Sequence, residues 1–151
     1  MNALETLTTL LCLVALSTML GLVWRARTGR IHRFTSTGAT AVSQISIPGA
    51  PTFGSKATLL QFSTEVCTPC KVTHTLLNRL ASELGGGTGE INHIDIDVSS
   101  RPEIANRFNL LQSPTTFILD GNGVLRARIG GDPKHSEVKA ELERILIPVL
   151  R

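Results

Sequence analysis

Residues 57–71 read ATLLQFSTEVCTPCK, an apolar run followed by two cysteines that are separated by two residues. The run Ala57–Ser63 predicts a buried strand, and the next residues predict a helix that begins at Thr68 or Pro69 and ends near Leu84. Two cysteines at a helix start can share a disulfide, and the helix N-terminus favours a thiolate on the first of them. The segment therefore predicts a dithiol that exchanges disulfides.

Strand and helix patterns continue to alternate along the rest of the chain. Turn signals at Gly85-Gly86-Gly87 and at Asp120-Gly121-Asn122-Gly123 separate them. The predicted elements are a strand at Glu90–Asp97, a short helix at Pro102–Phe108, a hairpin of Thr115–Leu119 with Val124–Ile129, and an amphipathic helix at Pro133–Leu146. The predicted order is β-α-β-α-β-β-α.

The two cysteines have different predicted roles. Cys67 is the candidate nucleophile, because unpaired backbone N–H groups at the helix start stabilise a charged sulfur and Lys71 adds positive charge nearby. Cys70 lies one helical turn inward and is the candidate resolving thiol, which attacks the mixed disulfide. Pro69 suits an early helical position, since its missing N–H would be unpaired there.

This order of elements around a Cys-x-x-Cys helix start resembles the thioredoxin fold, an α/β architecture with a central mixed sheet flanked by helices. The resemblance rests on Phe62–Cys70, Ile94–Asp97, Ser113-Pro114-Thr115 and Gly130. In thioredoxin-like proteins the proline at the position of Pro114 has a cis peptide bond and faces the active-site disulfide. The resemblance implies that Ser113 and Pro114 present a backbone edge to an extended substrate segment.

Some positions depart from the usual thioredoxin pattern. Thioredoxins usually have Trp before the first cysteine and Gly-Pro between the two, whereas this chain has Val66 and Thr68-Pro69. They commonly carry a buried Asp where this chain has Gln61, and often a lysine where it has His93. Because an amide is not a base at neutral pH, proton removal from the resolving thiol would need water, His93, Glu65 or the substrate thiol. Dithiol couples on this fold range from about −270 to −120 mV, so the direction of exchange stays open.

A second signal is the segment from Leu7 to Trp24, which contains no ionised side chain. A bilayer core of about 30 Å is crossed by roughly 20 apolar residues in a helix, and Trp suits the interface. We therefore predict a short tail over residues 1–5 and one transmembrane helix over residues 6–24. A cleaved secretory signal is the alternative, but its basic residues should precede the apolar run.

Positive charge is concentrated after this segment, at Arg25, Arg27, Arg30 and Arg33. With Glu5 these residues account for the net charge of +3, so the rest of the chain is formally neutral. The positive-inside rule predicts a single-pass protein of the cell membrane with a cytoplasmic C-terminal part, and the extracytoplasmic orientation is the alternative. Basic residues here also favour contact with anionic lipid. Nucleic-acid binding is not predicted, because no basic stripe with interleaved aromatics follows.

Residues 25–54 are predicted to form a basic juxtamembrane arm and a flexible linker, because Ser, Thr, Gly, Ala and Pro dominate them. Val42, Ile45 and Ile47 predict at most a short edge strand, since prolines follow closely. The thioredoxin-like domain is predicted over residues 55–151, a length that can fold around one core.

The resulting prediction is a membrane-anchored thioredoxin-like protein of bacterial type, which exchanges disulfides with protein thiols without an organic cofactor or a metal. Its expected partners are protein thiols and disulfides, a thioredoxin-reductase-like or membrane electron donor, and the lipid bilayer. Two alternatives stay open. One is a redox-inactive binding module, since one scaffold serves several functions. The other is a zinc site of Cys67, Cys70 and His74, with His93 as a fourth ligand.

Overall fold

The computed structural model describes residues 2–27, 31–34, 47, 51–87 and 89–147. In chain order they form helix α1 (Ala3–Arg27), strands β1 (Ile31–Arg33) and β2 (Ala57–Ser63), helix α2 (Thr68–Gly85), strand β3 (Ile91–Asp97), helix α3 (Pro102–Arg107), strands β4 (Thr115–Asp120) and β5 (Leu125–Gly130), and helix α4 (His135–Leu146). From β2 onward the order is β-α-β-α-β-β-α, which confirms the prediction for these elements.

The five strands form one mixed sheet in the order β1-β5-β4-β2-β3. Strand β2 pairs in parallel with β3 and antiparallel with β4, and the remaining pairs are antiparallel. Every residue of β2 is buried, as a strand covered on both faces requires. The cysteine motif therefore follows a fully buried strand of the sheet.

Helices cover both faces of this sheet. On one face, α2 and α4 contribute Leu77, Leu80, Val138 and Leu142 to a core cluster with Leu59 of β2. On the other face, Ile104 of α3 joins a second cluster, in which the ring of Phe62 lies 5.4 Å from that of Phe108 and 5.1 Å from that of Phe117. This arrangement confirms the predicted α/β class, a central mixed sheet flanked by helices.

The predicted turns have the expected geometry. Gly86 follows α2 in the left-handed region with φ of 58°, a conformation that glycine adopts without a steric cost. In the hairpin, Asp120 Oδ1 accepts the backbone N–H groups of Asn122 and Val124 at 2.9 and 3.0 Å. The side chain of Asp120 therefore fixes the turn that orients β5 against β4.

Strand β1 has no counterpart among the sequence predictions. It pairs antiparallel with β5, so that part of the segment predicted as a flexible linker extends the sheet. Arg33 Nε donates to Glu141 Oε2 at 2.9 Å, and Glu141 of α4 is fully buried. Because a buried carboxylate requires an ionic or hydrogen-bonding partner, this contact holds β1 at the edge.

The domain limits 55–151 stay a prediction, and two parts of the fold precede residue 55 in the sequence. The first is strand β1, and the second is Ile47, which is 1% exposed and belongs to the second core cluster. The predicted strand residues Val42 and Ile45 lie outside the described residues. The part of the chain before Ser55 thus contributes to the sheet and the core.

Within the described part of the chain, the stretch Ala3–Trp24 of α1 is long and apolar enough to cross a membrane. None of its hydrophobic window is buried against protein. Length and composition of this kind suit either a membrane span or a signal peptide. The structure therefore agrees with the coarse prediction of an apolar N-terminal helix.

Candidate active site

The site begins at the first turn of α2, where Cys67 and Cys70 form a disulfide with Cα atoms 5.2 Å apart. Cys67 is the N-cap residue, with an extended backbone (φ −141°, ψ 96°), and Pro69 lies in the first turn. The Sγ of Cys67 accepts the backbone N–H of Cys70 at 3.2 Å. A sulfur thus occupies the capping position usually filled by a side-chain oxygen, and a hydrogen bond of this kind favours the thiolate after reduction.

The two sulfurs differ in accessibility. Cys67 is half-buried, whereas Cys70 is 4% exposed. Val66, which precedes them where thioredoxins usually have Trp, is 96% exposed. Cys67 is therefore the more accessible of the two cysteines, and Cys70 lies behind it.

An open groove of about 460 Å³ lies beside the disulfide. Its lining brings together Cys67, Cys70, Lys71 and His74 of the cysteine segment with Glu65 of the preceding loop and with Asp95 and Asp97 of β3. Hydrogen bonds from Ser99 lower the pKa of Asp97. The groove thus holds one lysine, one histidine and three carboxylates next to both sulfurs.

A layer of polar side chains separates Cys70 from the sheet. Gln61 Nε2 donates to the carbonyl of Cys70 at 2.9 Å, and Gln61 Oε1 lies 3.2 Å from His93 Nε2. Burial, and then the charge of His74, lowers the pKa of His93 to about 4. A neutral His93 with its proton on Nε2 donates to Gln61, so the amide is oriented from both sides.

Two buried hydroxyls belong to the same region. Thr116 is the register partner of Gln61 on β4, and Thr73 lies one turn into α2. Both side chains are fully buried, and their Oγ1 atoms have no hydrogen-bond partner. Gln61, His93, Thr73 and Thr116 therefore form a polar layer behind the disulfide, and none of these four residues is a carboxylate.

The sequence predicts several of these residues and misses others. Cys67, Cys70, Pro69 and Lys71 lie together at the start of α2, as expected. The structural role of Gln61 and the two threonines escapes sequence analysis, because strand periodicity does not show which polar residue is buried. His74 is four residues after Cys70, and that helical spacing is the signal that could have placed it in the groove.

The Ser113-Pro114 peptide bond is cis, as the resemblance implies. Pro114 is buried, and its carbonyl accepts the N–H of Gly131 at 2.8 Å. Thr115 Oγ1 donates to the carbonyl of Gln112 at 2.7 Å. These bonds fix the loop, while its contact with a substrate stays a prediction.

The zinc alternative finds no support in this geometry. Cys67 and Cys70 are bonded to each other. Across residues 2–27, 31–34, 47, 51–87 and 89–147, no group of three or more His, Cys, Asp and Glu side chains is arranged to hold a metal ion. His74 and His93 face each other edge-on, with ring centroids 4.8 Å apart.

A capping Cys-x-x-Cys disulfide, a cis-proline loop and a mixed sheet flanked by helices together define a thioredoxin-fold protein with a redox-type cysteine pair. Comparison with protein families agrees, because the family model described as Thioredoxin matches residues 40–144, well over half of the chain. The chain therefore belongs to the thioredoxin family.

Individual relatives are also thioredoxins. The thioredoxin of Chlamydia muridarum is 38% identical over 91 residues, which cover 60% of this chain and 84% of that protein. Chloroplastic thioredoxin M4 of Arabidopsis thaliana is 28% identical over 89 residues, and these cover 59% of this chain but 44% of that protein. For thioredoxin H5 of Oryza sativa subsp. japonica the coverage is 63% and 66%. The chain thus spans less than two thirds of the two plant relatives.

Solved structures confirm the fold. Chloroplastic thioredoxin z superimposes with a TM-score of 0.52 at 21% identity, covering 60% of this chain and 79% of that one. A malarial protein superimposes with a TM-score of 0.53 at 21% identity, covering 61% and 99%. At this level of identity the similarity establishes the fold alone.

Proposed function

We propose that this protein is a membrane-tethered thiol-disulfide oxidoreductase that acts on protein disulfides through Cys67 and Cys70. The observation that carries the proposal is the asymmetry of the pair. Cys67 caps α2 at the accessible end and accepts the N–H of Cys70, while Cys70 is buried behind it. A reactive outer thiol and a protected inner one are what a two-step exchange requires.

In the reducing direction, the Cys67 thiolate attacks a substrate disulfide and forms a mixed disulfide, while one substrate thiolate leaves. Cys70 then attacks Cys67 Sγ, and the second substrate thiolate leaves as the intramolecular disulfide forms. Two electrons pass from the protein dithiol to the substrate disulfide. A thioredoxin-reductase-like protein or a membrane electron donor would restore the dithiol.

Two features support the membrane tether. The window Ala3–Trp24 has the length of a span. Thr8, Thr9 and Thr18 also donate their hydroxyls to carbonyls one turn earlier, at 3.0, 2.7 and 2.8 Å. Hydroxyls satisfied within their own helix are compatible with an apolar surrounding. The arginines that follow support a cytoplasmic orientation of the domain in this proposal.

A trapping experiment tests the exchange reaction. Cys70→Ser, in full-length protein with Cys12→Ala, should accumulate mixed disulfides with protein substrates through Cys67. The matched control adds Cys67→Ser and should accumulate none. Absence of adducts from Cys70→Ser under the same conditions would favour a redox-inactive binding module instead.

The reduction potential tests the direction of electron flow. Full-length Cys12→Ala protein in lipid nanodiscs would be equilibrated with glutathione buffers, and its alkylated thiols counted by mass. A potential near about −270 mV would support a cytoplasmic reductant, whereas one near about −120 mV would support an oxidant on the outer face. Protease digestion of spheroplasts, with and without lysis, would report the orientation independently.

A further inference from the structure

We propose that His74 is the proton acceptor that converts the resolving thiol of Cys70 into a thiolate during exchange. This inference rests on the proposed function and assigns a role to one more residue of its groove. The need for such a group follows from chemistry, because the thiolate and not the thiol is the attacking species. Cys70 is 4% exposed, so bulk water has little access to its thiol and a neighbouring side chain is needed to take the proton.

The side chains behind Cys70 cannot meet this need. The amide of Gln61 does not titrate, and it is bonded to the Cys70 carbonyl and to His93. The hydroxyls of Thr73 and Thr116 are also not bases near neutral pH. His93 points its Nε2 at Gln61, and its lowered pKa makes it a weak proton acceptor.

The groove on the other side of Cys70 offers one suitable group. His74 is four residues after Cys70 on α2, and such residues are neighbours on one helix face. Both side chains line the same open groove, which provides a route for a proton from Cys70 to His74. Its ring packs edge-on against His93, which restricts its orientation.

The other charged groups around His74 suit the task less well. Lys71 of α2 is a cation and has no free electron pair to accept a proton. Glu65 of the loop and Asp95 and Asp97 of β3 are carboxylates, which are intrinsically weaker bases than an imidazole and therefore less suited to accept a thiol proton.

The proposed step is balanced without a further reactant. In the mixed disulfide, the Cys70 thiol transfers its proton to His74, and the thiolate attacks Cys67 Sγ. The new Cys67–Cys70 bond forms as the bond between Cys67 and the substrate sulfur breaks. The leaving substrate thiolate takes the proton from the His74 imidazolium, so the histidine returns to its neutral form.

Oxidised glutathione serves as the probe. Reduced full-length Cys12→Ala protein in nanodiscs would be mixed with excess oxidised glutathione and quenched with acid at set times. Mass spectrometry then counts three species, the dithiol, the glutathione mixed disulfide and the intramolecular disulfide. Loss of the dithiol gives the rate of attack by Cys67, and loss of the mixed disulfide gives the rate of resolution by Cys70.

His74→Gln should slow resolution by about a hundredfold and leave the attack by Cys67 nearly unchanged. Added imidazole, which the open groove admits, should restore part of the lost rate. The matched control is His135→Gln, an exposed histidine on α4 that does not line the groove, and it should keep both rates. Equal resolution rates in His74→Gln and His135→Gln would overturn the role of His74.

Imidazole rescue completes the test. In His74→Gln the resolution rate should rise with the imidazole concentration, whereas imidazole should leave the resolution rate of the protein with His74 nearly unchanged. Equal acceleration of both proteins by imidazole would also overturn the proposal. Failure to form any mixed disulfide or intramolecular disulfide would reject the oxidoreductase function itself, which is a separate outcome.

Discussion

The start of α2 and the contact between β1 and α4 both bury polar groups, but they satisfy them differently. At the start of α2, the Cys70 carbonyl and the Gln61 amide meet neutral partners only. At the other region, the buried Glu141 carboxylate meets two cations, Arg33 and Arg144. The neutral region holds the Cys70 backbone without introducing a charge, whereas the ionic region fixes two elements in one arrangement.

The two regions also differ in how far apart their partners are in sequence. Gln61 and Cys70 are 9 residues apart, while Arg33 and Glu141 are 108 apart. One strand-to-helix connection therefore brings Gln61 and Cys70 together. Strand β1, in contrast, meets α4 only when two segments that are distant in the sequence come together. We expect function to depend on the first region and the position of β1 to depend on the second.

The largest expected effect concerns the first region. Cys67→Ser should reduce disulfide exchange by at least about a thousandfold, because a serine hydroxyl is not ionised at neutral pH. Serine is itself a good helix cap, so α2 should keep its start. Exchange with oxidised glutathione and circular dichroism measure the two effects. Cys12→Ala is the matched control, and equal loss in both variants would contradict a specific role for Cys67.

The next effect concerns stability in the second region. Arg33→Met with Arg144→Met leaves Glu141 buried without a cation and should lower the free energy of unfolding by about 3 kcal/mol. Urea denaturation of the full chain in detergent measures this change. The control is Arg79→Met, which removes an exposed pair with Glu83 and should leave the stability nearly unchanged. Equal destabilisation in both proteins would show that Glu141 does not require these arginines.

Sequence patterns predict the first region well and the second poorly. The cysteine spacing, the preceding apolar strand and the glycines after α2 are local signals, and the helix follows from them directly. Ile31–Arg33 is a short segment among basic residues, and its pairing with β5 depends on a carboxylate 108 residues away. No local periodicity reports such a contact, so this part of the chain resembles a linker.

Within the site, the sequence distinguishes the two cysteines but not the layer behind them. A polar residue in an apolar strand, such as Gln61, indicates a buried polar contact, but the sequence does not identify the residues that make this contact. Its bonds to Cys70 and His93 depend on the register of β2 against β3 and on the placement of α2. The groove position of His74 depends on the same packing, because the sequence of α2 does not show which other elements border each face of the helix.

The next prediction compares the loss of stability on replacing two buried polar side chains of the first region, one that forms hydrogen bonds and one that does not. Gln61→Leu leaves His93 Nε2 without its acceptor and should cost about 1 to 3 kcal/mol of unfolding free energy. The matched control is Thr116→Val on the paired strand, whose hydroxyl has no partner, and it should be neutral or slightly stabilising. Urea denaturation compares the two variants. A larger cost for Thr116→Val would contradict this description of the polar layer.

The last expected effect is the pH dependence that His93 gives to the neutral region. Burial lowers the pKa of His93 to about 4 in the folded protein, whereas an unfolded histidine has a pKa of about 6.5. Between these values the unfolded chain binds a proton that the folded protein excludes. Stability from this group is therefore complete above about pH 6.5 and decreases as the pH falls towards about 4.

His93→Gln isolates this contribution, because glutamine offers an amide donor to Gln61 and does not titrate. The variant should lose less stability than the unsubstituted protein as the pH falls from about 6.5 to about 4, although carboxylates affect both proteins below that range. Urea midpoints across the range measure the difference, and His135→Gln, an exposed histidine on α4, should retain the full slope. Parallel curves for His93→Gln and His135→Gln would mean that His93 gains its proton as easily in the folded protein as in the unfolded chain, and the region behind Cys70 would then carry charge.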